Sequence, residues 1–227
     1  MPRSKNMYAC FLGLLGFMII GCTITPPSSP VSPIETSFEP RQTITWKTHN
    51  SSFGFSIDLP SYYLVLSREE VIKNPDLFEG VFTILERDHL KNATKGYKEQ
   101  LKTLLNSGNV EYYFNQHHTG INVTVTKAIG EIPKTYSALL TYCGATVADY
   151  EKSTGIRTKL HECELRDVAG LNAVYVVTED QGFDMYAQYF VQTSPSIHLC
   201  FTTFAKKRIF ETPKNELDEI MKSLKLR

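Results

Sequence analysis

The sequence predicts an α+β fold: an antiparallel β-sheet covered by helices in an α/β/α sandwich, preceded by a cleaved signal and a flexible tether. Three observations predict it. Between residues 157 and 204, strand-like runs are separated only by Gly170, Asp180-Gln181-Gly182 and Pro195, and such short connections make neighbouring strands antiparallel. Apolar residues at helical spacing recur near 97–105, 139–150 and 217–224, and helices of that kind must bury one face on a sheet. An apolar N-terminal run is followed by a Pro/Ser/Thr-rich stretch that fits neither element. The resulting division is a signal at 1–21, a tether at 22–41 and one globular domain at 42–227.

The N-terminus reads as an address. Arg3 and Lys5 form a short positive region, Met7 to Ile20 a 14-residue apolar one, and Gly21 then precedes Cys22. The apolar run falls short of the about 20 residues that a bilayer span needs. Ile19-Ile20-Gly21-Cys22 resembles the bacterial lipobox, which puts signal cleavage between Gly21 and Cys22 and lipidation on Cys22. The residue types suit that chemistry: the thiol attacks a lipid donor, and a small residue at the scissile bond lets a peptidase close on the backbone. One acyl chain holds a protein marginally, whereas two or three, palmitate among them, make a stable anchor. The alternatives are an ordinary cleaved signal or an uncleaved anchor helix. Thr23 in place of Asp after the cysteine resembles an outer-membrane sorting signal, so the expected location is the bacterial envelope, facing the periplasm. Five prolines within residues 23–40 favour extended polyproline II, a semi-rigid spacer.

Within the domain, Phe53, Phe55, Ile57 and Leu59 alternate with polar residues and Pro60 ends the strand. Gly80 to Glu86 reads as a second strand. Tyr97, Leu101, Leu104 and Leu105 share a helix face, with Gly108 as the stop. Val110 to Phe114 and Ile121 to Thr126 are strands joined by a turn at 115–120. Leu139, Leu140, Cys143, Val147 and Tyr150 line a helix ending near Gly155. Strands at 157–166, 172–179, 183–192 and 197–204 follow. Thr212 is the expected cap and Pro213 the first turn of a last helix carrying Leu217, Ile220, Met221 and Leu224.

Phe53-Gly-Phe-Ser-Ile-Asp-Leu-Pro60 with Tyr62-Tyr63 resembles the opening strand of the PsbP/DcrB-like superfamily, which includes Ran-binding import adaptors. Asp167-Val-Ala-Gly-Leu-Asn-Ala173, the 183–204 hairpin and the closing Met221-Lys-Ser-Leu224 are similar too. The resemblance covers 53–63 and 167–226; the tryptophan typical after the first strand is replaced by the two tyrosines. It implies an antiparallel sheet between helices and an accessory or adaptor role, and it brings no catalytic residues with it.

The chain carries 24 basic and 24 acidic residues, and loss of Arg3 and Lys5 with the signal leaves 22 against 24. That balance excludes a nucleic-acid binder held by phosphate neutralisation. Of five cysteines, Cys10 leaves with the signal and Cys22 is lipidated, leaving Cys143, Cys163 and Cys200. Export permits one disulfide, Cys143 with Cys163 as the first pair, against three buried free thiols. His161-Glu-Cys163 and His198-Leu-Cys200 are weak metal candidates: alternation puts each His and Cys on one face, and four ligands converge only if the strands are neighbours. The plainer reading is two chance pairs. His117-His118 and Lys206-Lys207-Arg208 read as solvated turn and loop residues.

No nucleophile elbow, phosphate loop or dinucleotide fingerprint is present, and the acids read as solvated charge on amphipathic faces. No cofactor is expected. The sequons at Asn50, Asn92 and Asn122 read as coincidence beside a bacterial anchor. Tyr62-Tyr63, Tyr112-Tyr113, Tyr186 and Phe190 are either recognition aromatics or, the better reading, core under a helix. The expected function is a membrane-anchored, non-catalytic accessory or adaptor lipoprotein with an envelope protein partner. The rivals are a small-ligand or lipid carrier, and a metal-binding or enzymatic protein.

Overall fold

The computed structural model describes residues 44–87, 94–117, 122–181 and 184–227. The signal, the tether, Gly21, Cys22, the Asn92 sequon, His118 and parts of the turns at 115–120 and 180–182 lie outside the described residues. Among the described residues, no helix is long and apolar enough to cross a membrane.

The last four long strands form the meander that their short connections dictate: β6 (Thr158–Val168), β7 (Leu171–Asp180), β8 (Asp184–Ser194) and β9 (Ile197–Lys206). The β6–β7 connection is Ala169-Gly170, both at positive φ (55° and 79°), and Asp167 accepts the Gly170 N–H. A mirror-image turn of this kind matches the right-handed twist of the paired strands. Three earlier strands extend the sheet: β3 (Tyr63–Leu66), β4 (Val110–Asn115) and β5 (Asn122–Ile129). The order is β3-β4-β5-β9-β8-β7-β6, every pair antiparallel. A separate sheet, β1-β2-β10, is built from β1 (Trp46–Asn50), β2 (Phe55–Pro60) and β10 (Lys225–Leu226).

The period of two divides the large sheet into unlike faces. On one, Phe55, Ile57 and Leu59 of β2 and Leu217, Ile220 and Met221 of α5 (Glu211–Lys222) pack on Val125, Phe201 and Tyr189. On the other, α4 (Tyr136–Thr154) seats Leu139 and Cys143 on Val174, Val176 and Phe190. Beside it, α1 (Arg68–Lys73), α2 (Pro75–Arg87) and α3 (Thr94–Asn106) cover β3 and β4 through Phe78, Val81, Phe82, Leu101 and Leu105. The helices at 97–105 and 139–155 lie where their spacing put them; Gly155, at φ 72°, closes α4. Trp46, the only tryptophan, stands on β1 opposite Pro60 and is 41% exposed.

Two expectations are corrected. Residues 80–86 are helical, not a strand: Phe78, Val81 and Phe82 fall at i, i+3, i+4 and pack on α3, a stripe that a window opening at Gly80 cuts in half. Thr212 does not cap the last helix. The turn begins at Glu211, and buried Phe210 fixes the chain's approach by packing, with no side-chain cap bond. The short α1 went unread although its signature is present: Ser67 accepts the N–H of Glu70, in a Ser-x-x-Glu box.

A disulfide joins Cys143 of α4 to Cys163 of β6, a sequence separation of 20 residues. A loop of that size is worth about 3 kcal/mol through restriction of the unfolded chain. Cys163→Ser is therefore expected to lower stability by about that amount. Urea titration with and without reductant checks it: reductant should shift the parent's midpoint and leave the variant's unchanged.

Candidate functional site

Apart from Val168 at its end, the side chains that face α5 from β6 are not apolar. Glu162, Glu164 and Arg166 stand there at i, i+2, i+4, where β7 and β8 place Tyr175, Val177 and Tyr189. Arg166 lies flat on the Tyr175 ring, 3.5 Å from its centroid, and donates to the Tyr189 hydroxyl and to Glu164. Tyr189 in turn donates to Asp218 of α5 at 2.7 Å, and Lys214 of the same helix meets Glu162 at 3.1 Å. A guanidinium over an aromatic face gains about 0.5–2 kcal/mol and covers apolar surface with its stem. Between β6 and α5 this leaves an open cleft of about 580 Å³ lined by Arg166, Asp167, Ala169, Tyr189, Asn215, Asp218 and Lys222, among others. Burial, and then the Asp218 carboxylate, push the phenols of Tyr175 and Tyr189 up, so both stay neutral hydroxyls at physiological pH. The Tyr175 hydroxyl is buried and has no hydrogen-bond partner.

The second polar centre is Glu111 on β4, 1% exposed. Ser51 Oγ (2.9 Å), the Ser52 N–H (3.1 Å) and Ser52 Oγ (3.1 Å) donate to one carboxylate oxygen. Tyr113 donates to the other at 2.7 Å, and His49 Nε2 lies 3.3 Å from it. The carboxylate thereby fastens the β1–β2 connection onto β4. Burial alone would raise its pKa, but the bonds from His49, Tyr113 and Ser51 outweigh that and hold it below the usual carboxylate range. It does not belong to the solvated charge read from the sequence.

The sequence candidates fall elsewhere. Cys143 and Cys163 are joined, and Cys200 is a buried free thiol on β9. The two His-x-Cys pairs do not meet, because β7 and β8 lie between β6 and β9. Nor do His161 and Cys163 share a face. A bulge at His161 breaks the alternation, so Leu160 and Cys163 pack toward α4 while His161 turns to Glu179 at 2.7 Å. His198 is buried, with Nδ1 3.2 Å from the Gly130 carbonyl. Among the described residues no three metal-type side chains cluster. Tyr63, Tyr112, Tyr113, Tyr186 and Phe190 are core; half-buried Tyr62 stacks on His117 and bonds Glu216. Lys206 and Lys207 pair with Asp184 and Glu179.

This arrangement is the fold of PsbP. The solution structure of cyanobacterial PsbP (CyanoP) from Synechocystis is similar with a TM-score of 0.52 at 10% identity, over 84% of this chain and 98% of that one. The Saccharomyces cerevisiae Ran-binding protein Mog1p superposes with a TM-score of 0.47 at 7% identity, over 81% and 96%. A Bacteroides thetaiotaomicron crystal structure gives 0.38 at 10%, over 77% and 45%. No protein-family model matches the sequence, and no curated protein does.

Because the Glu111 pKa is lowered in the fold, its contribution is fully present above the unfolded value near 4.5 and is lost as pH falls through the folded one. Glu111→Gln imitates the protonated state. It is expected to cost about 2 kcal/mol at neutral pH and progressively less under acid, a convergence that urea titrations across pH 3–7 would reveal.

Proposed function

We propose that this chain is a membrane-anchored extracytoplasmic lipoprotein whose folded domain, residues 42–227, is a non-catalytic accessory or adaptor module for a protein partner of the bacterial envelope. The anchor rests on Ile19-Ile20-Gly21-Cys22, with cleavage after Gly21, acylation of Cys22, and the proline-rich 22–41 segment as spacer. Thr23 favours the periplasmic face of the outer membrane.

The binding role is carried by one observation, the cleft between β6 and α5. Its charged groups are already locked by one another, as Arg166 is by Tyr175, Tyr189 and Glu164. Such groups form a rigid polar surface that needs little ordering when a partner arrives. A lipid carrier needs a mostly apolar cavity, and this cleft is lined largely by charged and polar side chains.

Two measurements test the two halves. Cys22→Ser should move the protein from the membrane to the soluble fraction, and globomycin, which blocks lipoprotein signal cleavage, should accumulate the precursor. Persistence of Cys22→Ser in membranes would end the anchor reading. A photo-crosslinking residue at Lys222, on the cleft rim, should yield a discrete adduct with an envelope protein in cells. Arg166→Ala should abolish that adduct in a folded protein, and its survival would remove the cleft from the binding role.

A further inference from the structure

β6 is the outermost strand of the large sheet and 11 residues long, and among the described residues nothing pairs with its outer edge. Of its residues only Val168, at the turn, is buried. Open edges invite pairing, and proteins blunt them with bulges and charge. Here the bulge at His161 blunts only the first part, leaving Glu162 to Val168 in unbroken register with β7.

That stretch is held straight from both faces. The Cys143–Cys163 disulfide fastens it to α4 on one side. On the other, Glu162 meets Lys214 at 3.1 Å and Arg166 lies 3.7 Å from Asp218, both bonds reaching α5. An edge already ordered loses little entropy when a strand is added to it. The open cleft of about 580 Å³ adjoins its Arg166–Val168 end. Asp167, Asp218 and Glu219 line it against Arg166 and Lys222, and farther along the same face of β6 Glu162 and Glu164 stand against Lys214, a surplus of acid in both places. Of the cleft's two cations Arg166 is spent on the tyrosines beneath it and Lys222 pairs with Glu219 at 2.5 Å. On the opposite face the partly buried Leu165 and the disulfide give an apolar margin.

We propose that the edge of β6 from Glu162 to Val168 accepts, as an added antiparallel or parallel strand, an extended basic segment of a protein partner. Main-chain bonds to β6 supply the binding, and specificity comes from alternation. Every second side chain, Lys or Arg, stands on the α5 side, beside Glu162 and Glu164 and, at the far end, in the cleft by Asp218, and the intervening ones are apolar and rest by Leu165. The proposal deepens the adaptor reading and rests on it.

The test uses the full chain in detergent micelles and fluorescent peptides of about eight residues, the length such an edge can pair. A peptide alternating Lys and Val should bind, and one alternating Glu and Val should bind about tenfold or more weakly. Glu162→Lys with Glu164→Lys should reverse that preference in a protein that circular dichroism shows to be folded, with a lowered melting temperature from the lost pairs with Lys214 and Arg166. Two N-methylated Lys-Val peptides, blocked along one backbone edge or the other, separate strand addition from charge attraction. One should lose binding and the other keep it. Equal binding of the Lys-Val and Glu-Val peptides, or retention by both methylated forms, overturns the proposal. So does a dimer of the protein through this edge in sedimentation. If no peptide binds while the cellular crosslink at Lys222 persists, strand addition fails and the adaptor reading stands. If peptides bind but no crosslink forms, the adaptor reading fails instead.

Discussion

Seven strands at about 4.8 Å spacing make a sheet roughly 30 Å wide, and one helix of about 10 Å diameter cannot cover it. The face opposite α4 is shared between α5 and the small sheet, whose apolar side chains form one core with those of β4, β5, β9, β8 and β7. They stop short of the far margin. The rings of Tyr175 and Tyr189 would otherwise lie bare there, and the chain resolves the shortfall with a side chain instead of another element. Arg166 lies across them as a plank, fastened at its far end by Asp218 and Tyr189. The cleft, the mixed charge of the margin and the exposure of β6 all follow from that mismatch in width.

Much of the architecture was legible because it depends on local periodicity. The four strands from 158 to 206 are β-rich runs joined by short connections, so their antiparallel order could be read without knowing what covers them. Where packing decides, the reading failed. The run from Gly80 carries β-branched and aromatic residues that suit a strand, and its helical stripe shows only when Phe78 is counted with Val81 and Phe82, the face that packs on Leu101 and Leu105. Phe210 replaced a hydroxyl cap with burial, which no local signal announces. β1 is almost wholly exposed and therefore shows no alternation at all.

The candidate site was less legible, for a related reason. Glu162, Glu164 and Arg166 on alternate positions of a strand are a readable sign that one face meets water, but which strand is outermost is a property of the whole sheet. Glu111 looked like any strand carboxylate, and its burial comes from a serine pair some 60 residues earlier. The His-x-Cys pairs show the converse error. Strict alternation put His161 and Cys163 together, and one inserted residue parted them. The likeness to PsbP at 10% identity fits this picture: the layer arrangement survives where individual side chains do not.

The placement of Trp46 has a spectroscopic consequence. The large sheet and its helices are rich in tyrosine and phenylalanine, and the chain's single indole sits outside them on β1, half in solvent. Light absorbed at the red edge of the aromatic band is therefore emitted by the small sheet alone. Its emission colour and quenching follow whether β1 stays paired with β2, a strand pair fastened to the body of the protein through Ser51, His49 and Glu111. β1 is also the first strand of the domain, so the fluorophore reports on its N-terminal edge while the tyrosine-rich sheet stays dark at that wavelength.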